Sequence, residues 1–353
     1  MNAFAEQGRD KNQYRSCNLI SSFFINFSGR IDTGGKCVTI CCAESIEDIP
    51  GIELRDTGKE TIEDFIMLRK NVISEGMAAA ASPMYAKGCA KCVNYQLGNW
   101  VNDSLIYYVN LSMYPSPCQC SCVYCGVYRD DGAAFGKKEV IEGYDKLFSA
   151  IEYAKEKKLI APTAKWQVSC GEITIHPYKD RIFSYLKDQS CVFFTNCFIF
   201  DERIGKNLAQ NPKSAINLSI DSGTAETWRK VKGFDNLGEV SENLVRYYEC
   251  CSKPGQISLK YIILPDINAT YEDYVSVVEI MKVLGCKHLT LSHDTNTKYS
   301  MTKEMKDTLI GSAGYLIAVL HKNYMTFDMF TFSPDDRDSA VAFAVELLKA
   351  GEV

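Results

Sequence analysis

The chain has 353 residues, of which 46% are hydrophobic and 24% charged, and a net charge of −5. That length is too great for one ordinary domain and points to two, with the composition of a water-soluble globular protein. The acidic balance argues against a dedicated nucleic-acid binder, and no apolar run reaches the length of a membrane span.

The first twenty residues contain Arg9, Asp10, Lys11 and Arg15 and no apolar core, so no signal peptide is visible and a cytoplasmic location is expected. Sixteen cysteines is a high count. Cytosolic thiols stay reduced, so clustered cysteines there suggest metal binding or catalysis, while Cys191 and Cys286, in apolar stretches, read as core residues.

In chain order, SSFFINFSGRIDTGGKCVTICC predicts a hairpin turning at Gly29, Gly34 and Gly35, with Cys37, Cys41 and Cys42 on its second strand. A helix is predicted from Thr61 to about Ser74, with Ile62, Phe65, Ile66 and Leu68 on one side. KGCAKCVNY then carries Cys89 and Cys92. Four thiolates from Cys17, the hairpin strand and this C-x2-C pair can close around a metal; Cys17, Cys42, Cys89 and Cys92 are the favoured four, with Cys41 or Cys37 as substitutes for Cys42. An all-cysteine tetrad is also the closed structural zinc set, so zinc stands beside an iron–sulfur cluster here.

From Leu105 the pattern becomes strand, loop, helix, repeated. Strands are predicted at 105–113, 165–169, 191–195, 215–220, 257–263 and 288–292, with helices such as Val140 to Lys157 and Tyr271 to Leu284 between them. Such alternation implies parallel strands with right-handed crossovers, and chemistry at the C-terminal strand ends. The expected fold is α/β: a partial (β/α)6 TIM-like barrel at 105–330, a small cysteine-rich domain at 1–104, and a C-terminal helix at 331–353. That last helix is expected to pack on the barrel side.

The loop after the first barrel strand is LSMYPSPCQCSCVYC, with Cys118, Cys122 and Cys125 spaced C-x3-C-x2-C and Tyr124 before the last cysteine. Three thiolates can hold three corners of a cubane cluster and leave the fourth iron open. A zinc knuckle is the alternative, and Cys120 offers other ligand sets.

This loop resembles that of the radical S-adenosylmethionine superfamily, and the similarity runs over residues 105 to 295. Cys170-Gly171-Glu172 is similar to the family's Gly-Gly-Glu motif, with cysteine for the first glycine; the resemblance implies that Glu172 receives the methionine amino group. Thr195-Asn196-Cys197 stands where the family often has Thr-Asn-Gly. Asn217 to Gly223, followed by TAETWRKVKG, resembles the strand-four segment, implying that Ser219 and Asp221 bind the ribose and methionine parts. An extended strand would point those two side chains to one side. Lys260 is a candidate for the methionine carboxylate or an exposed lysine beside a turn. Tyr124 would lie against the adenine. The N-terminal cysteines resemble the SPASM and related auxiliary-cluster modules, although those follow the barrel and this block precedes it.

The resemblance implies an enzyme that uses a 4Fe–4S cluster to cleave S-adenosylmethionine reductively to a 5′-deoxyadenosyl radical, which takes hydrogen from a small-molecule, sugar or peptide substrate. Its electrons would come from a flavodoxin or ferredoxin. Oxidation assisted by an auxiliary 4Fe–4S cluster and redox-neutral epimerisation with a thiol hydrogen donor both stand open. Cys197 and Cys170, at strand ends, are the candidate donors or else small tolerated residues. A non-catalytic zinc or iron–sulfur binding protein is the reading from another class. His176 and His293, near strand ends, read as acid–base groups or as structural histidines.

Overall fold

The computed structural model describes residues 13–21, 23–31, 35–41, 49–78, 95–99, 105–125, 134–169, 171–294 and 301–353. They form two compact units, one of Met1–Ser116 with Asp131–Cys170, the other of Pro117–Asp130 with Gly171–Val353. The expected divisions at residues 104 and 330 each fall inside a unit.

In the first unit the N-terminal strands are not set apart from the strand that leads to the cysteine loop. β1 (Gln13–Cys17) pairs antiparallel with β5 (Tyr95–Asn99). β2 (Phe24–Arg30) runs parallel to β6 (Ile106–Tyr114) over seven residue pairs, from Phe24 opposite Tyr108 to Arg30 opposite Tyr114. The hairpin is present but short: β3 (Val38–Thr39) joins β2 antiparallel, and β4 (Gly51–Ile52) joins β3. β2 buries Phe24, Ile25 and Phe27. It buries Asn26 and Ser28 as well, so both of its faces are covered, as befits a strand with neighbours on both edges.

β7 (Ile160–Val168) lies parallel to β6 on the other side. It begins five residues before the predicted strand, because Pro162 reads as a strand breaker in the sequence. The crossover helix α3 (Lys138–Glu156) buries Val140, Tyr144, Leu147, Phe148 and Ile151 at helical spacing. Its Tyr144 hydroxyl donates to the Pro115 carbonyl at 2.8 Å, tying the helix to the chain just past β6.

In the second unit five strands stand in sequence order and every pairing is parallel: β8 (Ser190–Phe194), β9 (Ala215–Ser219), β10 (Ile257–Ile263), β11 (His288–His293) and β12 (Thr326–Met329). α5 (Glu202–Gln210) links the first pair, α6 (Ala225–Lys232) and α7 (Leu237–Cys250) the second, α9 (Tyr271–Val283) the third, and α10 (Lys303–Lys322) the last. β12 escaped sequence analysis because it is a four-residue edge strand with one buried side chain. The C-terminal helix α11 (Pro334–Ala350) packs on α10: a Cβ at Gly314 would lie 2.8 Å from the Ala340 carbonyl oxygen. No described helix is long and apolar enough to cross a membrane.

β8 to β11 share one burial pattern. Cys191 and Phe193, Ile216 and Leu218, Leu259 and Tyr261, Leu289 and Leu291 are buried on one face. Phe194, Asn217, Ser219, Ser258, Lys260 and Thr290 are half-buried on the other. The register sets Ser219 beside Lys260 and Lys260 beside Thr290, so this second face carries a polar row across three strands.

The seam between α2 (Gly58–Ala78) and α3 depends on a glycine. The Gly58 amide donates to Ser149 Oγ at 2.9 Å, and a Cβ there would stand 2.0 Å from the Ser149 carbonyl oxygen. Gly58→Ala should therefore destabilise the chain by about 2 kcal/mol despite alanine's better helix propensity, read as a lower midpoint in urea unfolding.

Candidate functional site

The cysteine loop lies in the second unit and is fastened by the end of α6. The Ser121 amide donates to the Lys232 carbonyl at 2.9 Å and the Val123 amide to the Val231 carbonyl at 3.0 Å. These are carbonyls that a helix C-terminus leaves without intrahelical partners. Gly233 ends the helix in left-handed backbone (φ +83°), and a Cβ there would meet Ser121 Cβ at 2.9 Å. Within the loop, the Cys125 amide donates to the Cys122 carbonyl at 2.9 Å, a tight turn carrying both cysteines.

The sulfurs interact with one another. Buried Cys120 shares hydrogen bonds with Cys118 and Cys122, which raise its own pKa. The bond from Cys120 holds the Cys118 thiol below its ordinary range. The same kind of bond, with help from the Lys232 ammonium and against the cost of burial, lowers Cys122 to about 6. Asn196 Nδ2 lies 3.3 Å from Cys120 Sγ and 3.8 Å from Cys118 Sγ. Cys120 thus lies between Cys118 and Cys122. Among the described residues no three His, Cys, Asp or Glu side chains are arranged as a ready-made metal site. The donor chemistry nevertheless fits a thiophilic metal, because acidified thiols lose their protons readily to one.

Sequence analysis missed Lys232. Its Nζ donates to Asp221 Oδ2 at 2.5 Å, the Tyr124 hydroxyl at 2.7 Å and the Ser219 carbonyl at 2.8 Å. The Tyr124 hydroxyl donates to the same Asp221 oxygen at 2.5 Å, and the Ile262 amide donates to Asp221 Oδ1 at 2.6 Å. The lysine and aspartate side chains are 4% and 0% exposed. Burial works against the ammonium, but the facing Asp221 carboxylate prevails and raises its pKa. β9 ends at Ser219 and Asp221 adopts φ +47°, so the alternation expected to carry Ser219 and Asp221 to one side stops short. Ser219 stays half-buried on the polar face while Asp221 is wholly interior.

Glu172 is also 0% exposed. Its carboxylate accepts from the Thr174 amide and hydroxyl at 3.0 and 2.8 Å, the Thr195 hydroxyl at 2.9 Å and the Asn196 amide at 2.7 Å. Burial raises its pKa against these bonds. With those donors in place no oxygen is left facing outward for a methionine ammonium, which departs from the role that the resemblance implied. Glu172 instead joins its own turn to the end of β8, where Asn196 reaches the sulfurs. Gly171 takes φ +55°, which glycine allows without strain.

The other expected residues separate clearly. Lys260 is half-buried on the polar face beside Ser219, its ammonium 5.6 Å from the Phe330 ring centre. Burial lowers its pKa and Asp221 opposes that. Cys197 is fully buried at φ +58°, and burial pushes its thiol pKa up. His293 is buried, its ring nitrogens 3.0 and 3.2 Å from the Asp294 and Thr331 carbonyls. Cys17 ends β1 opposite Tyr95. Cys37 is buried with its thiol on the Arg30 carbonyl at 3.3 Å, and Cys41 is half-buried. Cys42, Cys89, Cys92 and Cys170 lie outside the described residues.

No model of a known protein family matches the sequence, and no curated protein matches it. Among solved structures the chain is similar to Streptococcus suis SuiB bound to S-adenosylmethionine, at 12% identity and a TM-score of 0.46, over 76% of this chain and 56% of that one. It is similar to SuiB bound to precursor peptide SuiA at 13% identity and a TM-score of 0.43, over 91% and 71%. A radical SAM methyltransferase from Sphaerobacter thermophilus aligns at 12% identity and a TM-score of 0.35, over 60% and 63%. The chain thus spans little more than half of the first.

His176 gives the region a pH signature. It is buried, its Nδ1 accepts from the Tyr178 amide at 3.1 Å, and burial pushes its pKa down to about 3. The folded state resists a proton that the unfolded chain takes up near pH 6.5, so its contribution is full above that pH and is lost as pH falls toward 3. Lowering the pH from 7 to 5 should cost about 2 kcal/mol through this residue, and His176→Gln should flatten that part of the stability–pH curve.

Proposed function

We propose that the chain is a radical S-adenosylmethionine enzyme that holds a 4Fe–4S cluster through Cys118, Cys122 and Cys125. The supporting observation is geometric: Cys118 and Cys122 stand on a short loop that hydrogen bonds hold to α6, Asn196 reaches its sulfurs, and a third cysteine follows one turn on. When bound, the cluster and S-adenosylmethionine supply a one-electron cleavage of the sulfonium and a radical that takes hydrogen from substrate. The chain's own residues bind and orient. Ser219 and Lys260, adjacent on the polar face, offer a hydroxyl and an ammonium to the cofactor's ribose and carboxylate. Tyr124 offers a ring edge beside the loop. The row of Asn217, Ser258 and Thr290 supplies further hydrogen-bonding groups for a polar substrate, whether a small molecule, a sugar or a peptide.

The finer reading is oxidation: an auxiliary 4Fe–4S cluster on Cys17, Cys42, Cys89 and Cys92, with Cys37 or Cys41 as substitutes, would take the second electron. A flavodoxin or ferredoxin would supply the first. A second reading rests on Cys120, whose sulfur bridges Cys118 and Cys122: with Cys125 it would complete a closed four-thiolate zinc site.

Anaerobic reconstitution separates the two. The wild-type loop should take up about four iron and four sulfide ions per cluster and, with dithionite, turn S-adenosylmethionine into 5′-deoxyadenosine. Cys118→Ala, Cys122→Ala and Cys125→Ala should each abolish that product, and Cys120→Ala should keep it. Zinc bound without sulfide, or dependence on Cys120 in place of Cys125, would reverse the assignment.

A further inference from the structure

We propose that Lys232 is a positioning residue for the cysteine loop and that Asp221 is its buried counter-ion rather than a contact to the sulfonium cofactor. The proposal rests on the radical S-adenosylmethionine reading of the loop and departs from the cofactor-binding role that resemblance implied for Asp221.

Asp221 is 0% exposed, and three interior donors already hold its carboxylate. Its Oδ2 receives Lys232 and Tyr124, and its Oδ1 receives the Ile262 amide. The backbone is shaped to keep it there. Asp221 sits in left-handed conformation, and its carbonyl accepts from Asn268 Nδ2 at 2.8 Å. Asn268, itself fully buried, also holds the Ile262 carbonyl and the Leu264 amide, so the turn after β9 is braced against the end of β10. A ribose hydroxyl seeking this carboxylate would have to enter the interior to reach it.

Lys232 has a matching economy. Its ammonium has three protons, and the three acceptors are Asp221, the Ser219 carbonyl and the Tyr124 hydroxyl. One side chain therefore joins the strand end, the turn and the loop tyrosine that lies between Cys122 and Cys125. Its own carbonyl takes the Ser121 amide, so Lys232 grips the loop from backbone and side chain alike. The helix that presents it is anchored at its other end. Thr224 caps α6, and Asp273 Oδ1 accepts from the Thr224 amide and hydroxyl and from the Gly223 amide, each at 3.1 Å. A lever fixed at both ends sets where the loop stands before any cluster arrives.

The test uses the full chain as Lys232→Met, Asp221→Asn and the double variant. In the metal-free proteins each single change strands one buried polar group, and the melting midpoint should fall by about 10 °C. The double variant should recover at least half of that fall, because neither charge is then left alone. A double variant that melts no higher than the singles overturns the counter-ion assignment. Hydrogen exchange of the metal-free Lys232→Met protein, below its melting range, should speed up about tenfold at the amides of residues 121–125 and stay unchanged in β11 and α10. Uniform acceleration, or none at the loop, overturns the positioning role.

S-Adenosylmethionine binding to the reconstituted single variants, by equilibrium dialysis, should weaken about equally, Asp221→Asn staying within about threefold of Lys232→Met, because both act through the loop. A loss in Asp221→Asn more than about threefold beyond that in Lys232→Met makes Asp221 a cofactor contact and overturns the proposal. If the wild-type protein itself binds no S-adenosylmethionine, the functional reading fails, while melting and exchange still report on the clamp.

Discussion

A charged lysine in the interior of the second unit has to be neutralised and hydrogen-bonded, and most of the candidate site follows from how that is done. Stripping water from an ammonium and a carboxylate costs several kcal/mol per ion, and a mutual contact repays it only when the remaining protons and lone pairs are also used. Lys232 and Asp221 meet that condition with the Tyr124 hydroxyl, the Ser219 carbonyl and the Ile262 amide. Each partner belongs to a different segment, so satisfying one buried charge fixes the loop, the end of β9 and the end of β10 together. Losing one charge would strand the other, which makes the arrangement all-or-none.

A second buried carboxylate works in the same way without a cation. Glu172 is held by hydroxyls and amides alone, and its partners Thr195 and Asn196 lie where β8 ends. Asn196 then turns its amide toward Cys118 and Cys120. The cysteine loop is thus held by Lys232 and met by Asn196 as well. Neither carboxylate is displayed to solvent. Both act as fasteners, while Ser219 and Lys260 stand half-buried on the polar face of the strands. Loops that must keep several sulfurs in one place gain from such second-layer support, since precision in the donors depends on what holds them.

Much of the strand and helix pattern was legible in advance. The helices at 138–156 and 271–283 and the strands β8 to β11 sit within a few residues of their expected places, because a run of apolar residues at period two or 3.6 is a local signal. The departures have local causes too. Pro162 hid the first half of β7, and β12 is too short and too exposed to stand out. The place of β2 was a different kind of omission. Its antiparallel partner lies about ten residues on and its parallel partner β6 about eighty, and only the nearer pairing leaves a trace in the sequence.

By itself, then, the sequence determined which residues carry sulfur and at what spacing, where the chain alternates strand with helix, and which polar side chains stand at strand ends. These are properties of neighbouring residues. The tertiary structure alone decided what the polar groups do. Lys232 follows Arg229 and Lys230 in the last turn of α6 and carries no local sign of burial, yet it is buried because the loop more than a hundred residues earlier lies across the helix end. Asp221 and Glu172, which read as outward-facing ligands, are interior because donors from distant segments surround them. Burial and partner choice arise from contacts between segments far apart in the chain, and no window of sequence contains both halves of such a contact.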